Sequence, residues 1–133
     1  MVTMKAAGID MATTYEAITI SSGTSFVAET EGQVILNGGR DISFTMDLVK
    51  KDIGLFHSVA ESHNVPLDIS PVMVDIFNDG IERYGERELS PNIIRRLEDA
   101  TGLSILADGF PDKLVDDEPK EAGYEVVPRG PGH

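Results

Sequence analysis

FTMDLVKKDIGLFHSVAESHN, residues 44–64, is the stretch that decides the fold of this chain. Its apolar side chains recur with the period of one face of an α-helix, at spacings of four, three and four residues: Val49, Ile53, Phe56 and Ala60, with Leu48, Leu55 and Val59 widening the stripe. Val65-Pro66 then disfavours helical backbone. We therefore predict one helix from Phe44 to about Asn64.

Glycines and caps upstream of this stretch predict shorter helices. Gly8 in KAAGID ends a first helix, and MATTYEAITISSG reads as a second that stops at Ser-Ser-Gly. SFVAETEGQVILNGG predicts a third helix, with Ser25 as its cap and a break at Asn37-Gly38-Gly39. A strand pair turning at NGG is the competing interpretation of this third segment.

Two Ser-Pro pairs predict the remaining helices downstream, with serine as the cap and proline at the first helical position. One helix runs from Ser70-Pro71 to Gly85, and the other runs from Ser90-Pro91 to Gly102. The predicted fold is therefore all-α, a bundle of about five helices over residues 1–106. Residues 107–133 are rich in acidic residues, proline and glycine, which predicts an irregular tail in which Phe110 and Leu114 dock locally.

The length, charge balance and cysteine content of the chain exclude several classes of function. The 133 residues suit one domain, and their 11 basic against 23 acidic side chains give a net charge of -12. This balance argues against a nucleic-acid binder and against binding to anionic membranes. The chain contains no cysteine, which excludes disulfides and thiolate chemistry.

Metal binding and membrane insertion are not indicated. His57 and His63 are six residues apart and so fall on different faces of one helix, where we expect both to face solvent, and His133 is remote in sequence. No apolar run approaches the roughly 18 residues of a membrane span, and MVTMKAAGID does not resemble a signal peptide. We expect a cytoplasmic protein without a metal.

The cations in FTMDLVKKD allow two interpretations. Asp47 can pair with Lys50 or Lys51 along a helix surface, which explains the charges without a ligand. Phe44 and Asp52 are eight residues apart, so on a helix they would project to similar sides with Lys51 about 100° away. This second arrangement would offer an anionic ligand an aromatic wall and a cation.

Other charged and glycine-containing segments carry weaker signals. ISSGTS and LNGGRD match neither GxGxxG nor a P-loop, so ordinary loop and cap chemistry is the favoured interpretation. The charges around Arg83, Arg87, Arg95 and Arg96 are typical of a solvated helix face. No serine–histidine–acid set or carboxylate pair stands out as catalytic.

The order of these segments resembles the C-terminal domain of the β-hydroxyacid dehydrogenases, the family of 3-hydroxyisobutyrate dehydrogenase and tartronate semialdehyde reductase. Four pieces carry the resemblance, which covers about residues 5–106: KAAGID, the run F-x-x-x-L-x-x-K-D-x-x-L from Phe44 to Leu55, NVPLDISPVMVDIFNDGIERYG, and ELSP. It implies an all-helical domain like the C-terminal domain of 6-phosphogluconate dehydrogenase.

The resemblance also implies roles for three residues. Lys51 would contact NAD or NADP near the nicotinamide, Asp52 would orient this lysine or its neighbours, and Phe44 would wall the substrate pocket. Lys50 has no implied role and is expected at the surface. The domain would belong to a homodimeric enzyme that oxidises a small 3-hydroxy acid.

The family's G-x-G-x-x-G fingerprint and its catalytic lysine helix do not occur in this sequence. We therefore expect no catalytic residue in this chain, no cofactor binding by it alone, and a need for a Rossmann-type NAD(P)-binding half. The alternative is a non-catalytic helical dimerisation or interaction module derived from the same family.

Overall fold

The computed structural model describes residues 1–115, which form six α-helices and one 3-10 turn. The helices are α1 (Val2–Ala6), α2 (Met11–Thr19), α3 (Phe26–Asn37), α4 (Met46–Ser62), α5 (Ser70–Tyr84) and α6 (Arg95–Thr101), with the 3-10 turn at Ser90–Ile94. Within this part of the chain there is no strand, although an isolated bridge joins Thr45 to Leu89. The predicted all-α class is confirmed there, and the strand pair considered for the α3 segment is wrong.

The ends of α3 follow from its cap residues. The Ser25 hydroxyl accepts a hydrogen bond from the Ala28 N–H at 3.1 Å, which confirms the predicted cap. Gly38 ends the helix in the left-handed region at φ 95°. A Cβ atom at Gly38 would come within 2.8 Å of the Leu106 side chain, so both backbone angle and space favour glycine here.

The two Ser-Pro pairs begin their helices without the predicted serine caps. Ser70 is the first residue of α5, after Ile69, and its hydroxyl lies 2.6 Å from the His57 Nε2 atom. Ser90 is a buried residue inside the 3-10 turn, and its side chain makes no capping bond. In both pairs proline stands in the first turn as predicted. The predicted serine caps are wrong because tertiary contacts, not the local motif, set these helix starts.

Helix α4 begins at Met46, two residues after the predicted start at Phe44. The segment 86–90 explains this start, because its backbone carbonyls accept hydrogen bonds from the Met46 N–H (2.9 Å) and the Asp47 N–H (3.0 Å). The Phe44 carbonyl in turn accepts from the Ser90 N–H at 2.8 Å. Phe44 is thus part of an extended connection and not of the helix.

The core cluster joins the first three helices to the last described segment. Val2, Met11, Leu36 and Ile105 are buried against one another, so residues 103–110 cover α1–α3. Phe110 packs edge-on against Tyr15 with ring centroids 5.3 Å apart, which confirms its predicted docking. Leu114 remains 45% exposed. The prediction of an irregular tail beyond residue 115 lies outside the described residues.

Helices α4 and α5 form a hairpin with few buried side chains. Met46 and Ala60 of α4 and Gly80 of α5 are its buried residues. A Cβ atom at Gly80 would lie 3.2 Å from the Met46 sulfur and even closer to Ile93, so glycine permits this close crossing. The predicted α4 stripe is present, but most of it stays exposed. No helix among residues 1–115 is long and apolar enough to span a bilayer.

Several charges predicted on a solvated face instead join separate elements. Arg40, three residues after the end of α3, pairs with Glu98 of α6 at 2.9 Å, with side chains only 7% and 13% exposed. Arg96 of α6 pairs with Asp79 of α5, which also accepts from Arg83. Arg96 and Glu98 of the predicted charged face therefore pair with other elements, whereas Arg83, Arg87 and Arg95 are 52%, 72% and 41% exposed, as expected of a solvated face.

Candidate functional site

Lys51 and Asp52 form an exposed ion pair on α4. The Lys51 Nζ atom lies 2.6 Å from an Asp52 carboxylate oxygen, and the two side chains are 57% and 53% exposed. The pair gives Lys51 the partner that was expected to orient it. An exposed pair contributes at most about 1 kcal/mol to folding, so the ammonium can exchange this partner for an anionic ligand at little cost.

Asp47 has a different partner from either predicted lysine. Its carboxylate accepts from Arg87 Nη1 at 3.0 Å and from the Thr45 hydroxyl at the helix start. The Thr45 hydroxyl, followed by Arg87, holds the pKa of Asp47 below its usual value. This arrangement leaves Lys51 with Asp52 as its observed partner.

Phe44 does not share a helix face with Asp52, because it precedes the helix. Its side chain lines a groove of about 370 Å³ between α3, α4, α5 and the 3-10 turn, together with Ile35, Val49 and Phe77. Asp52 instead lines a second groove, at the α4–α5 connection. The structure thus brings Lys51 and Asp52 together and places Phe44 in a separate groove.

The Phe44 groove also contains one carboxylate that sequence reasoning missed. Glu31 of α3 lines it, and burial raises the pKa of this side chain. In the sequence Glu31 resembles any other acidic residue of a polar helix face. Only the packing of Phe44 and Val49 beside it distinguishes it.

The groove beside Asp52, which we call the hairpin groove, has a volume of about 570 Å³. Most of its lining is apolar, and its principal residues are Asp52, Ile53, Phe56, Leu67, Ile69 and Met73. The α4 periodicity identified Ile53 and Phe56 as residues of the apolar stripe, and here they line a groove open to solvent. The Lys51–Asp52 pair therefore stands at the edge of an apolar concavity.

His57 and Ser70 tie α4 to α5 next to this groove. The 2.6 Å contact between His57 Nε2 and Ser70 Oγ corrects the expectation that His57 faces solvent, since its side chain is half-buried. His63 is exposed as expected. Among residues 1–115, no three His, Cys, Asp or Glu side chains are grouped so that they could hold a metal ion.

The glycine-containing loops make local hydrogen bonds typical of turns. The Ser21 hydroxyl donates to the Ile18 carbonyl at 2.8 Å and accepts from the Gly23 N–H at 3.3 Å. In the second loop, Gly38 serves as the end of α3. These contacts agree with ordinary loop chemistry and not with a phosphate cradle.

Lys51 is an accessible cation of this region. Lys51 offers an accessible positive charge to a phosphate, a carboxylate or an amide oxygen. A dinucleotide also needs a glycine-rich turn between a strand and a helix, and residues 1–115 contain no strand to form one.

Comparisons with known proteins identify the family. The model of the family described as "NAD-binding of NADP-dependent 3-hydroxyisobutyrate dehydrogenase" matches residues 1–97. The chain is 33% identical over 99 residues to 2-(hydroxymethyl)glutarate dehydrogenase of Eubacterium barkeri, and the match covers 74% of this chain and 33% of that protein. The chain thus spans about a third of the length of this relative.

A solved structure supports the fold. The 3-hydroxyisobutyrate dehydrogenase of Salmonella typhimurium superposes with a TM-score of 0.65 at 22% identity, over 71% of this chain and 33% of that one. At this identity the likeness concerns the helical fold alone. Because the family model matches most of its length, the chain belongs to the NAD(P)-dependent β-hydroxyacid dehydrogenase family.

Proposed function

We propose that this chain is the C-terminal helical domain of an NAD(P)-dependent 3-hydroxyacid dehydrogenase, with a fold like that of the C-terminal domain of 6-phosphogluconate dehydrogenase. Residues 1–106 would be this domain, and residues 107–133 would be an appended acidic tail. The observation that carries the proposal is the exposed Lys51–Asp52 pair on α4, inside the segment that matches the family model. The match covers about a third of the relative's length, which is consistent with one domain of a larger enzyme.

In this proposal each site residue has a defined task. Lys51 binds the cofactor through its ammonium group, and Asp52 holds the lysine in place until the cofactor arrives. Phe44, which lines the separate groove beside α3 and the 3-10 turn, limits the substrate pocket with its ring. Bound NAD or NADP would accept the hydride from the hydroxyl-bearing carbon of a small hydroxy acid.

The chain depends on a Rossmann-type NAD(P)-binding half for the remaining contacts, and it has no turnover alone. Support comes from the lack of a strand–glycine-turn–helix unit among residues 1–115. Self-association of the complete enzyme as a homodimer is a further part of the proposal. Ile20, Phe26 and Val27 at the α2–α3 turn are exposed by 86%, 54% and 54%, and they offer one apolar surface for it.

A chimeric enzyme tests the assignment of Lys51. The full chain would replace the matching third of the Eubacterium barkeri dehydrogenase, and oxidation of 2-(hydroxymethyl)glutarate would be followed with NAD and with NADP. We expect turnover by the chimera, and a Lys51→Ala variant whose apparent KM for the cofactor rises about tenfold or more, since hydrogen bonds to charged groups contribute about 1.5–3 kcal/mol.

Lys50 provides the matched control, because it is the neighbouring exposed lysine on the same helix. Lys50→Ala should change the cofactor KM less than about twofold, as for an ordinary surface charge. Equal effects of the two variants would contradict a specific role for Lys51. A folded but inactive chimera would favour the alternative of a non-catalytic interaction module, and turnover by the isolated chain would contradict the need for a second half.

A further inference from the structure

The hairpin groove exposes more large apolar side chains than a free protein surface ordinarily does. Phe56 of α4 is 58% exposed, and Ile69 at the start of α5 is 74% exposed. The same end of the hairpin exposes four further side chains to a similar degree: Leu55, Val59, Val72 and Met73. Of these, Met73 lines the groove with Phe56 and Ile69, and an apolar concavity lined by such exposed side chains marks a surface that another molecule covers.

The shape of the surface favours a helix as the occupant. The groove lies at the α4–α5 connection and is lined by Ile53 and Phe56 of α4, by residues 66–69 of the connection and by Met73 of α5. A third helix can insert its own apolar side chains between theirs. This is the binding mode in which an amphipathic helix places residues i, i+3, i+4 and i+7 into a groove.

The negative charge of the hairpin indicates which residues should lie beside the apolar face of that helix. Residues 46–84 carry seven acidic and three basic side chains, a net charge of -4. Asp68 lines the groove, is exposed, and forms no ion pair within residues 1–115. Two copies of this hairpin would bring like charges together, whereas lysine or arginine beside the apolar stripe of a partner would complement them.

We infer that the hairpin groove binds an amphipathic helix of another polypeptide, with large apolar residues on one face and basic residues beside them. The apolar residues cover Phe56, Ile69 and Met73, and a basic residue pairs with Asp68. The inference goes beyond the proposed function, because the groove takes this helix whether or not the assembled complex oxidises a hydroxy acid.

Synthetic peptides test the inference with the full chain. Both would be amphipathic helices of about 18 residues, or five turns, with identical leucine faces and with either lysine or glutamate on the flanks. Fluorescence anisotropy at low salt should give a Kd for the lysine peptide that is about fivefold lower, as expected for one or two surface ion pairs. The difference should shrink in about 1 M salt, where surface charges are screened.

Two phenylalanines provide a matched pair of variants. Phe56→Ala should weaken binding of the lysine peptide about tenfold or more, as the loss of a central aromatic contact does. Phe26→Ala removes the same side chain at a similar exposure, 54% against 58%, but on α3, and should change the Kd less than about twofold. Asp68→Lys should reverse the preference between the two peptides.

Three results would overturn the inference. One is equal binding of the lysine and glutamate peptides at low salt, and another is equal loss from the two phenylalanine variants. The third is a dimeric mass of the wild-type chain that becomes monomeric in Phe56→Ala, because a second copy would then occupy the groove. Circular dichroism of each variant separates lost binding from lost folding.

Discussion

The first three helices and the α4–α5 hairpin use their apolar residues in opposite ways. In the first region, Val34 and Leu36 of α3 are fully buried, and Ile105 from the covering segment is fully buried with them. In the hairpin, Leu55, Phe56 and Val59 are each more than half exposed, although the helix that carries them is the longest described. The sequence predicts helices in both regions, from glycines and caps in the first and from apolar periodicity in α4.

This difference teaches that an apolar stripe specifies a helix but does not specify what covers it. The apolar side chains of α3 find their cover within the described chain, in residues 103–110. The α4 stripe turns only a part of its width toward α5 and the 3-10 turn. The remaining part, beside Lys51 and Asp52, is where both of our proposals place another protein.

Truncating one leucine in each region should give the largest contrast. Leu36→Ala removes a fully buried side chain and should lower the free energy of unfolding by about 2–5 kcal/mol. Leu55→Ala removes a side chain that is 60% exposed and should cost less than about 1 kcal/mol. Urea unfolding followed by circular dichroism measures both values. Similar losses would mean that the hairpin face is covered in solution.

Two helix-interior glycines give the next largest contrast. A Cβ atom at Gly80 would collide with Ile93 and crowd the Met46 sulfur, so Gly80→Ala should destabilise the protein by about 1–3 kcal/mol. At Gly54 a Cβ atom would meet nothing within 4 Å, so Gly54→Ala should stabilise it by up to about 1 kcal/mol. Thermal unfolding of both variants checks the signs. A stabilising Gly80→Ala would contradict the close packing of α5 on this site.

The ion pairs of Asp79, which join the hairpin to α6, should stabilise the protein less as the pH falls. Hydrogen bonds from Arg83 and then Arg96 lower the pKa of Asp79, so the ionised carboxylate stabilises the folded state. This contribution is fully present above the unfolded pKa, roughly 4, and is lost as the pH falls through the lower folded value. Asp79→Asn should therefore differ from wild type at pH 7 and differ less at about pH 3. Asp68→Asn, which removes a carboxylate without an ion pair in the described region, should show no comparable change in urea midpoint.

The smallest change in stability is expected when Glu31 in the Phe44 groove is replaced. Burial raises its pKa above the unfolded value, so the ionised form opposes folding, and stability falls as the pH rises between the two values. Glu31→Gln should slightly raise the midpoint of unfolding at pH 7 and leave it unchanged in acid. Glu16→Gln on the exposed surface of α2 serves as the control. A lower midpoint for Glu31→Gln at pH 7 would contradict the sign.

Much of the helical framework could be predicted from the sequence, because local residues determine it. Gly38, Gly85 and Gly102 end their helices as predicted, and Ser25 caps α3. The extended conformation of Phe44 could not be predicted, because it depends on backbone hydrogen bonds from residues 86–90. Neither could the buried pair of Arg40 and Glu98, which joins residues 58 positions apart.

The candidate site was predictable only in part. Lys51 and Asp52 are neighbours in sequence, so their pairing requires nothing beyond one turn of helix. Phe44 was placed beside them by assuming that the helix began two residues earlier. The hairpin groove could not be anticipated, since the pattern of α4 distinguishes apolar from polar positions but not buried from uncovered ones.

The most direct test of the account is hydrogen–deuterium exchange of the full chain with and without the NAD(P)-binding two thirds of a relative. The account predicts slower exchange in peptides from α4 and the start of α5, near residues 50–56 and 66–73, because a covered face opens less often. It predicts unchanged exchange in α1–α3. No protection anywhere, or protection confined to residues 20–27, would contradict the claim that the hairpin face is completed by a cofactor-binding partner.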